Sequence, residues 1–480
     1  MNWIQKARTV LGIVSEALAV YSLGKSSKFK SLFTDGTSRN QSARHCISIA
    51  AQDQNCKILA PILLTANIIP SDEKCESLLE MILSTLQDKS ELLREWASIC
   101  KRLFPDYCHD IPDPSSIDVT TLASGGTVNT DTCNTAKKLK QILIEEIEKK
   151  ALEIGIPKSE IKLFGIDCMH HLRNIWIKAS NEAVADELRV ELKDDIDALQ
   201  KQQLRVSLNF SELLLSFSKC FCKSAQYDKG MGAEFYEFMS THYQDHFLFP
   251  LPRVKTGTRQ DVKLIGAPAI YLNRKYYEQF LDHKLLSDST NILLRTCEHY
   301  VSSLEIIATA RMNSILYLCL CLPHRWLTGK CHTFFPKHKF GQADLSRVLD
   351  IMYSKFEMII NEPSLFIDNE FMCSIFDSIC VELPPFNLYM DSLLTGHNMK
   401  VHDGSDSIEG MKFLRHELFC PVDYKKFETD DLTIRLGLIA IQAWYQEFKR
   451  NDKQTCRYLS ELNGESSWGS LNTNQRNQLL

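Results

Sequence analysis

The sequence predicts an α/β chain, a mixed sheet with flanking helices that is interrupted or followed by a large all-α region. Three observations predict it. Short β-like runs bounded by turn-prone residues crowd the segment after Lys30, and two further short apolar runs then alternate with helical periodicity. Beyond residue 180 the helical period is almost unbroken.

Each element follows in order. Residues 1–29, MNWIQKARTVLGIVSEALAVYSLGKSSKF, hold an apolar stretch broken by Glu16 and no small-residue cleavage site. They read as an N-terminal amphipathic helix rather than a signal peptide. SLFTDGT, HCISIAAQD and ILAPILLTANIIP read as three strands, the first ending at Asp35. Residues 71–87 read as a helix with Leu78, Leu79, Met81, Ile82 and Leu86 on its apolar side, and residues 91–104 as a second helix. The Pro-, Asp-, Ser- and Gly-rich residues 105–127 read as a loop or insertion. TVNTDTCNTAKKLKQILIEEIEKKALEIG runs from a strand end into a long helix that Gly155 closes. IKLFGID is a further strand, and CMHHLRNIWIKAS opens a further helix.

The domain bounds expected from this order are 1–29 (helix), 30–180 (α/β core), 181–460 (mostly helical) and 461–480 (polar tail). A basic, Pro- and Gly-containing loop, FPLPRVKTGTRQD (residues 249–261), interrupts the helical region. No internal repeat or low-complexity tract is visible.

Composition bounds the function. The chain of 480 residues is 44% apolar and 24% charged, as a globular protein is. A net charge of −5 gives no overall pull toward nucleic acid, so any basic surface must be local. Seventeen scattered cysteines, an odd number, favour a reducing compartment over a disulfide scaffold. The longest unbroken apolar run, residues 315–322, is short of a bilayer span. An intracellular protein, nuclear or cytoplasmic and not secreted, with no membrane partner, is the expectation.

Two acids stand where chemistry is plausible. Asp35 follows the first β run, and Asp131 stands at a strand-to-helix junction. Hard oxygen ligands suit Mg²⁺ or Mn²⁺, and two such ions about 4 Å apart stabilise both attacking and leaving oxygens in phosphoryl transfer. The competing reading is local: Asp-Gly is a turn signal, and Asp131 suits a helix cap.

Cys168 and His171 have C-x-x-H spacing over one helical turn, flanked by Asp167 and His170. Zinc needs two more ligands, for which Cys331–His332 and Cys319 with Cys321 are the candidates. A helix start with a buried Cys and a hydrogen-bonded His is the expectation instead of zinc. HLRNIWIK, RVKTGTRQDVK and LNRKYYEQF mix cations with aromatic rings, a composition that holds phosphates and stacks on bases but also makes ordinary solvated faces. Arg253, Lys255 and Arg259, three cations within seven residues, stand out.

In order, LFTDGTSRNQ, NTDTCNTAKKL, GIDCMHHLRNIW and VKTGTRQDVKLIGAPAIYLNRKYYEQF resemble the catalytic core of a DDE-type DNA transposase of the hAT-like or a related eukaryotic group. The resemblance spans roughly residues 30 to 330. It implies an RNase H-like fold with an all-helical insertion, and catalytic acids at Asp35, Asp131 and a final Glu. That Glu is Glu305, in SSLEIIATARMNS, or alternatively Glu417, in FLRHELF. The metals would be held by Asp35 and Asp131, the C-x-x-H motif is Cys168/His171, and Arg173, Trp176, Arg253, Lys255 and Arg259 would meet DNA. With no zinc-finger-like DNA-binding domain ahead of the core, a fragment, a domesticated copy or a degraded one is the expectation, with DNA and a second copy of the chain as partners. Two other readings stay open: an inactive DNA- or protein-binding module, and a zinc-dependent hydrolase centred on Asp167, Cys168, His170 and His171.

Overall fold

The structure is a computed structural model. It describes residues 30–39, 42–51, 62–68, 75–103, 123–130, 134–167, 169–202, 206–222, 230–243, 251–254, 260–329, 342–382, 415–419 and 429–463, with Pro105, Leu204 and Phe249. The expected N-terminal helix and the final residues of the polar tail lie outside them. The described residues fall into two compact units. The first runs to Leu172 and includes 342–346 and 453–463; the second comprises 173–329 and 347–452.

In the first unit, β1 (Lys30–Arg39) pairs antiparallel with β2 (Ser42–Ala51), and β3 (Ile62–Ile68) pairs antiparallel with β2. After helix α1 (Cys75–Leu103) comes β4 (Ser124–Thr130), parallel to β1. Helix α2 (Asn134–Glu153) crosses from β4 to β5 (Lys162–Asp167), the connection that a parallel pair requires. The sheet order is β3-β2-β1-β4-β5.

The helices bury apolar residues at a strict spacing of four. Leu78, Ile82 and Leu86 from α1, and Leu139, Leu143, Ile147 and Ala151 from α2, form one aliphatic core with Leu32, Ile47, Val128 and Leu163 of the strands. Gly165 in β5 permits close approach to α2, because a Cβ there would stand 2.9 Å from Lys140 Cδ and 3.0 Å from Ile144 Cδ1. Gly155 closes α2 as the sequence predicts. Its φ is +87°, its N–H donates to Leu152 O, and Ile156 N–H donates to Ala151 O. That is a Schellman close, and glycine takes the left-handed position at no steric cost.

Three expectations are corrected here. β1 does not end at Asp35: it continues to Arg39, with Asp35 opposite Cys46 and Gly36 opposite His45, so the Asp-Gly pair is inside a strand and makes no turn. The two helices expected over 71–104 are one, because Asp88-Lys89-Ser90 contains no breaker and Gln87 Nε2 donates to Glu91 Oε1 at 2.8 Å across it. The fold class itself, an α/β chain built on an RNase H-like mixed sheet, gives way to a mainly helical one. Of the residues described down to their side chains, 84% are helical, and the strands enter almost wholly as backbone. The long helical region outweighs the sheet.

The second unit has helices and no strand among its described residues. Helix α3 (Met169–Glu191) starts in the first unit and continues into the second, followed by α4 (Lys193–Lys201), α5 (Phe210–Phe221), α6 (Gly232–His242), α7 (Gly266–Leu285) and α8 (Ile292–Ser302). Next come α9 (Leu304–Leu316), a π-helical turn (Tyr317–Cys321) and α10 (Leu322–Gly329). The later helices are α11 (Gln342–Asn361) and α14 (Asp430–Asn463), which belong to the second unit from Arg347 and up to Asp452, with α12 (Asn369–Cys373) and α13 (Asp377–Glu382) between them in the chain. Asn209, Asn291, Ser303 and Asp368 cap their helices by accepting backbone N–H bonds.

The run Leu304–Leu327 is long and apolar enough, by length and composition, to cross a membrane, yet its most apolar 18-residue window is wholly buried inside the structure. A helix apolar on every side is what a protein interior requires. Around it lie two aromatic centres. Phe217, Phe221, Phe235, Tyr277 and Phe280 form one, with the Phe221 and Tyr277 rings stacked at 4.4 Å. Trp176, Trp444, Phe448 and Phe356 form the other.

Candidate functional site

The sequence-derived acids fall at the sheet. Asp35 is placed by its backbone, in β1. β1 and β4 are parallel neighbours, with Ser31 opposite Thr127, Leu32 opposite Val128 and Phe33 opposite Asn129. Asp131 follows Thr130, the last residue of β4, and lies outside the described residues. On the far side of β4, Thr130 stands opposite Asp167, the last residue of β5. Thr130 is buried. Of the C-x-x-H motif, Cys168 lies outside the described residues, and His170 and His171 are placed in the first turn of α3 by backbone alone. Cys331 and His332 also lie outside the described residues.

Both candidates for the third acid belong to the second unit. Glu305 stands in the first turn of α9, where its carboxylate accepts from Ser303 Oγ at 2.7 Å while that same oxygen accepts from Ile306 N–H. Ser-x-Glu at a helix start is thus a local capping arrangement, which accounts for the position without reference to a metal. Glu305 also borders a pocket of about 240 Å³ with Asp195 and His299. Burial pushes the His299 imidazole below its ordinary value, against the pull of Asp195, Glu305 and Glu298. Glu417 lies in a short helix, residues 415–419, with its carboxylate 3.6 Å from His416 Nδ1.

Two expected DNA contacts are corrected. Arg173 and Trp176 are both fully buried. Arg173 Nη1 sits 2.8 Å from His324 Nδ1, and the Trp176 ring packs against His324, Trp444 and Phe448 at 5.0 to 5.7 Å. The apolar face of α3 draws the indole inward, and the guanidinium finds its partner inside. Neither side chain reaches a surface where nucleic acid binds. Arg253 is exposed, whereas Lys255 and Arg259 lie outside the described residues.

Sequence reasoning missed the buried cation that organises the second unit. Arg311 is 1% exposed; its Nε and Nη2 donate to Leu418 O at 3.0 and 2.7 Å, and its Nη1 donates to Thr429 Oγ1 and pairs with Asp430. The signal was a lone Arg in a long apolar run, where a charge persists only if it is paired. Among the described residues, no group of three or more His, Cys, Asp or Glu side chains could hold a metal ion. No family model matches the sequence. No curated protein matches it either.

Proposed function

We propose that the chain is a transposase-like phosphoryl transferase, cleaving DNA strands and joining them with the help of Mg²⁺ or Mn²⁺. The supporting observation is register. Phe33 and Asn129 are opposite one another on neighbouring parallel strands, and Asp35 and Asp131 each stand two residues further along the chain from that pair. Asp35 lies in β1 and Asp131 follows Thr130, the last residue of the neighbouring strand β4; adjacent strands stand about 4.8 Å apart. The donor set fits the ions, since carboxylate oxygens are the hard ligands that Mg²⁺ and Mn²⁺ prefer.

When bound, such ions supply charge neutralisation and an activated nucleophile for attack on a phosphodiester. Asp35 and Asp131 would hold and orient them. The chain itself contributes positioning and charge, with little covalent chemistry of its own. Arg253, Lys255 and Arg259 would bear on the phosphate backbone of DNA.

The test is strand cleavage of duplex DNA by the purified full chain, with Mn²⁺ binding followed in parallel by electron paramagnetic resonance. Asp35→Ala is expected to abolish Mg²⁺-dependent cleavage and weaken Mn²⁺ binding while leaving the far-UV circular dichroism unchanged. Cleavage that survives this substitution, or that persists in chelator, overturns the proposal. DNA binding without any metal-dependent cleavage by the unaltered chain would replace it with the inactive binding module.

A further inference from the structure

Away from the sheet, residues of α4, α8 and α9 line the second unit's pocket of about 240 Å³. Leu192, at the start of α4, and Ile196 and Leu199 within it recur at spacings of four and three, and they line the pocket with Val206 and Ile306. No residue of α4 is buried, so this apolar stripe is left half-exposed at the cavity. Apolar surface in a concave site is covered favourably by an apolar body.

The charges beside that stripe are of one sign. Asp195, His299 and Glu305 border the pocket. Among the described residues, the Asp195 carboxylate has no hydrogen bond or ion pair. Glu305 accepts from Ser303 Oγ through Oε2, and no hydrogen bond among those residues engages its Oε1. Burial holds the His299 imidazole below its ordinary value against the pull of Asp195, Glu305 and Glu298, so near neutral pH it adds no positive charge. Arg435 also feels Glu305, but its guanidinium forms two hydrogen bonds to Glu191. Two carboxylates with acceptor oxygens to spare, set beside an apolar wall, are the complement of an organic cation.

We infer that this pocket binds a small organic ammonium, its charged end between Asp195 and Glu305 and its apolar body against Leu192, Ile196 and Leu199. Sites for drug-sized molecules run from about 300 to 1,000 Å³, so a cavity below that range takes a small ligand. A metal ion is the poorer occupant, because these acids and His299 are not grouped to hold one and the apolar wall offers no donor atoms. A phosphate or carboxylate ligand meets two like charges. The inference is independent of the proposed DNA chemistry, which rests on Asp35 and Asp131.

The purified full chain is titrated with phenethylammonium by saturation-transfer difference NMR, with phenethyl alcohol and phenylpropionate as neutral and anionic counterparts. The ammonium is expected to bind, the alcohol to bind several-fold more weakly and the carboxylate not to bind. Asp195→Asn and Glu305→Gln should each weaken ammonium binding about two- to fivefold, the range of a solvent-exposed ion pair, with little change for the alcohol. Added salt should act in the same direction. Val206→Phe narrows the cavity without touching a charge and should remove binding of both. Equal affinity for ammonium and alcohol, no ammonium binding at all, or ammonium affinity unchanged in both acid variants overturns the inference. So does binding that survives Val206→Phe, with circular dichroism confirming that each variant is folded. Should Val206→Phe fail to fold, the two isosteric acid variants decide alone.

Discussion

The two units solve the problem of a core differently. The first joins aliphatic side chains, Leu78, Ile82, Leu139, Leu143 and Ile147, between two helices and a sheet, with no buried charge in that cluster. The second fills its interior with rings and seals polar groups among them: Arg173 against His324, Arg311 against Leu418 O, Thr429 and Asp430. Aliphatic packing is non-directional and tolerates exchange at constant volume, whereas a buried cation demands specific partners. The comparison teaches where substitution is dangerous. In the first unit volume decides, and in the second the partner decides.

Predictions follow that break this comparison in order of size. Trp176→Ala removes a fully buried indole from a ring cluster and should cost about 3–5 kcal/mol, lowering hydrogen-exchange protection in the second unit's peptides. Leu143→Ala in the first unit should cost about 2–5 kcal/mol by the cavity it leaves, read as lost protection confined to peptides of that unit. Protection lost equally in both units by either variant would erase the distinction.

Asp430→Ala sharpens the comparison, because it strands the Arg311 charge. The Asp430 side chain is 25% exposed, so the loss should fall near the lower end of about 3–5 kcal/mol for a broken buried pair, measured by urea unfolding. A cost under about 1 kcal/mol would mean that the carbonyl and Thr429 bonds alone support the guanidinium.

Gly437→Ala tests close packing between α14 and the turn at Pro363–Ile367. A Cβ there would stand 2.3 Å from Phe366 Cδ1, and overpacking of this kind costs about 1–3 kcal/mol in the same assay.

The smallest effect is at the surface. Arg435 forms two hydrogen bonds to the Glu191 carboxylate, which holds that group below its ordinary value. A carboxylate with a lowered folded-state pKa contributes stability above its unfolded value of about 4.3, and this is lost as pH falls through the folded value. Both side chains are more than a third exposed or close to it, so solvent screening limits Glu191→Gln to under about 1 kcal/mol at neutral pH. The difference from the unaltered chain should shrink below pH 4 and in high salt.

Much of the first unit was legible in the residues. The three front strands, the helix after residue 134 and its glycine close came from period and turn chemistry, because those signals are local. The end of β1 was misread for the same reason: Asp-Gly favours a turn in isolation, and pairing with Cys46 and His45 overrides it. Arg173 and Trp176 looked like surface readers of nucleic acid because a linear stretch shows charge and ring without showing what packs on them.

Sequence alone determined the helix after residue 134 and its glycine close, which residues repeat at a spacing of four, and which acids are available for metal chemistry. These depend on neighbours within a turn or two. Tertiary structure decided the register that sets Phe33 opposite Asn129, and the burial of Arg173, Trp176 and Arg311 with the partners they meet inside. Those contacts join residues separated by tens to hundreds of positions, and only packing brings them within a few ångströms.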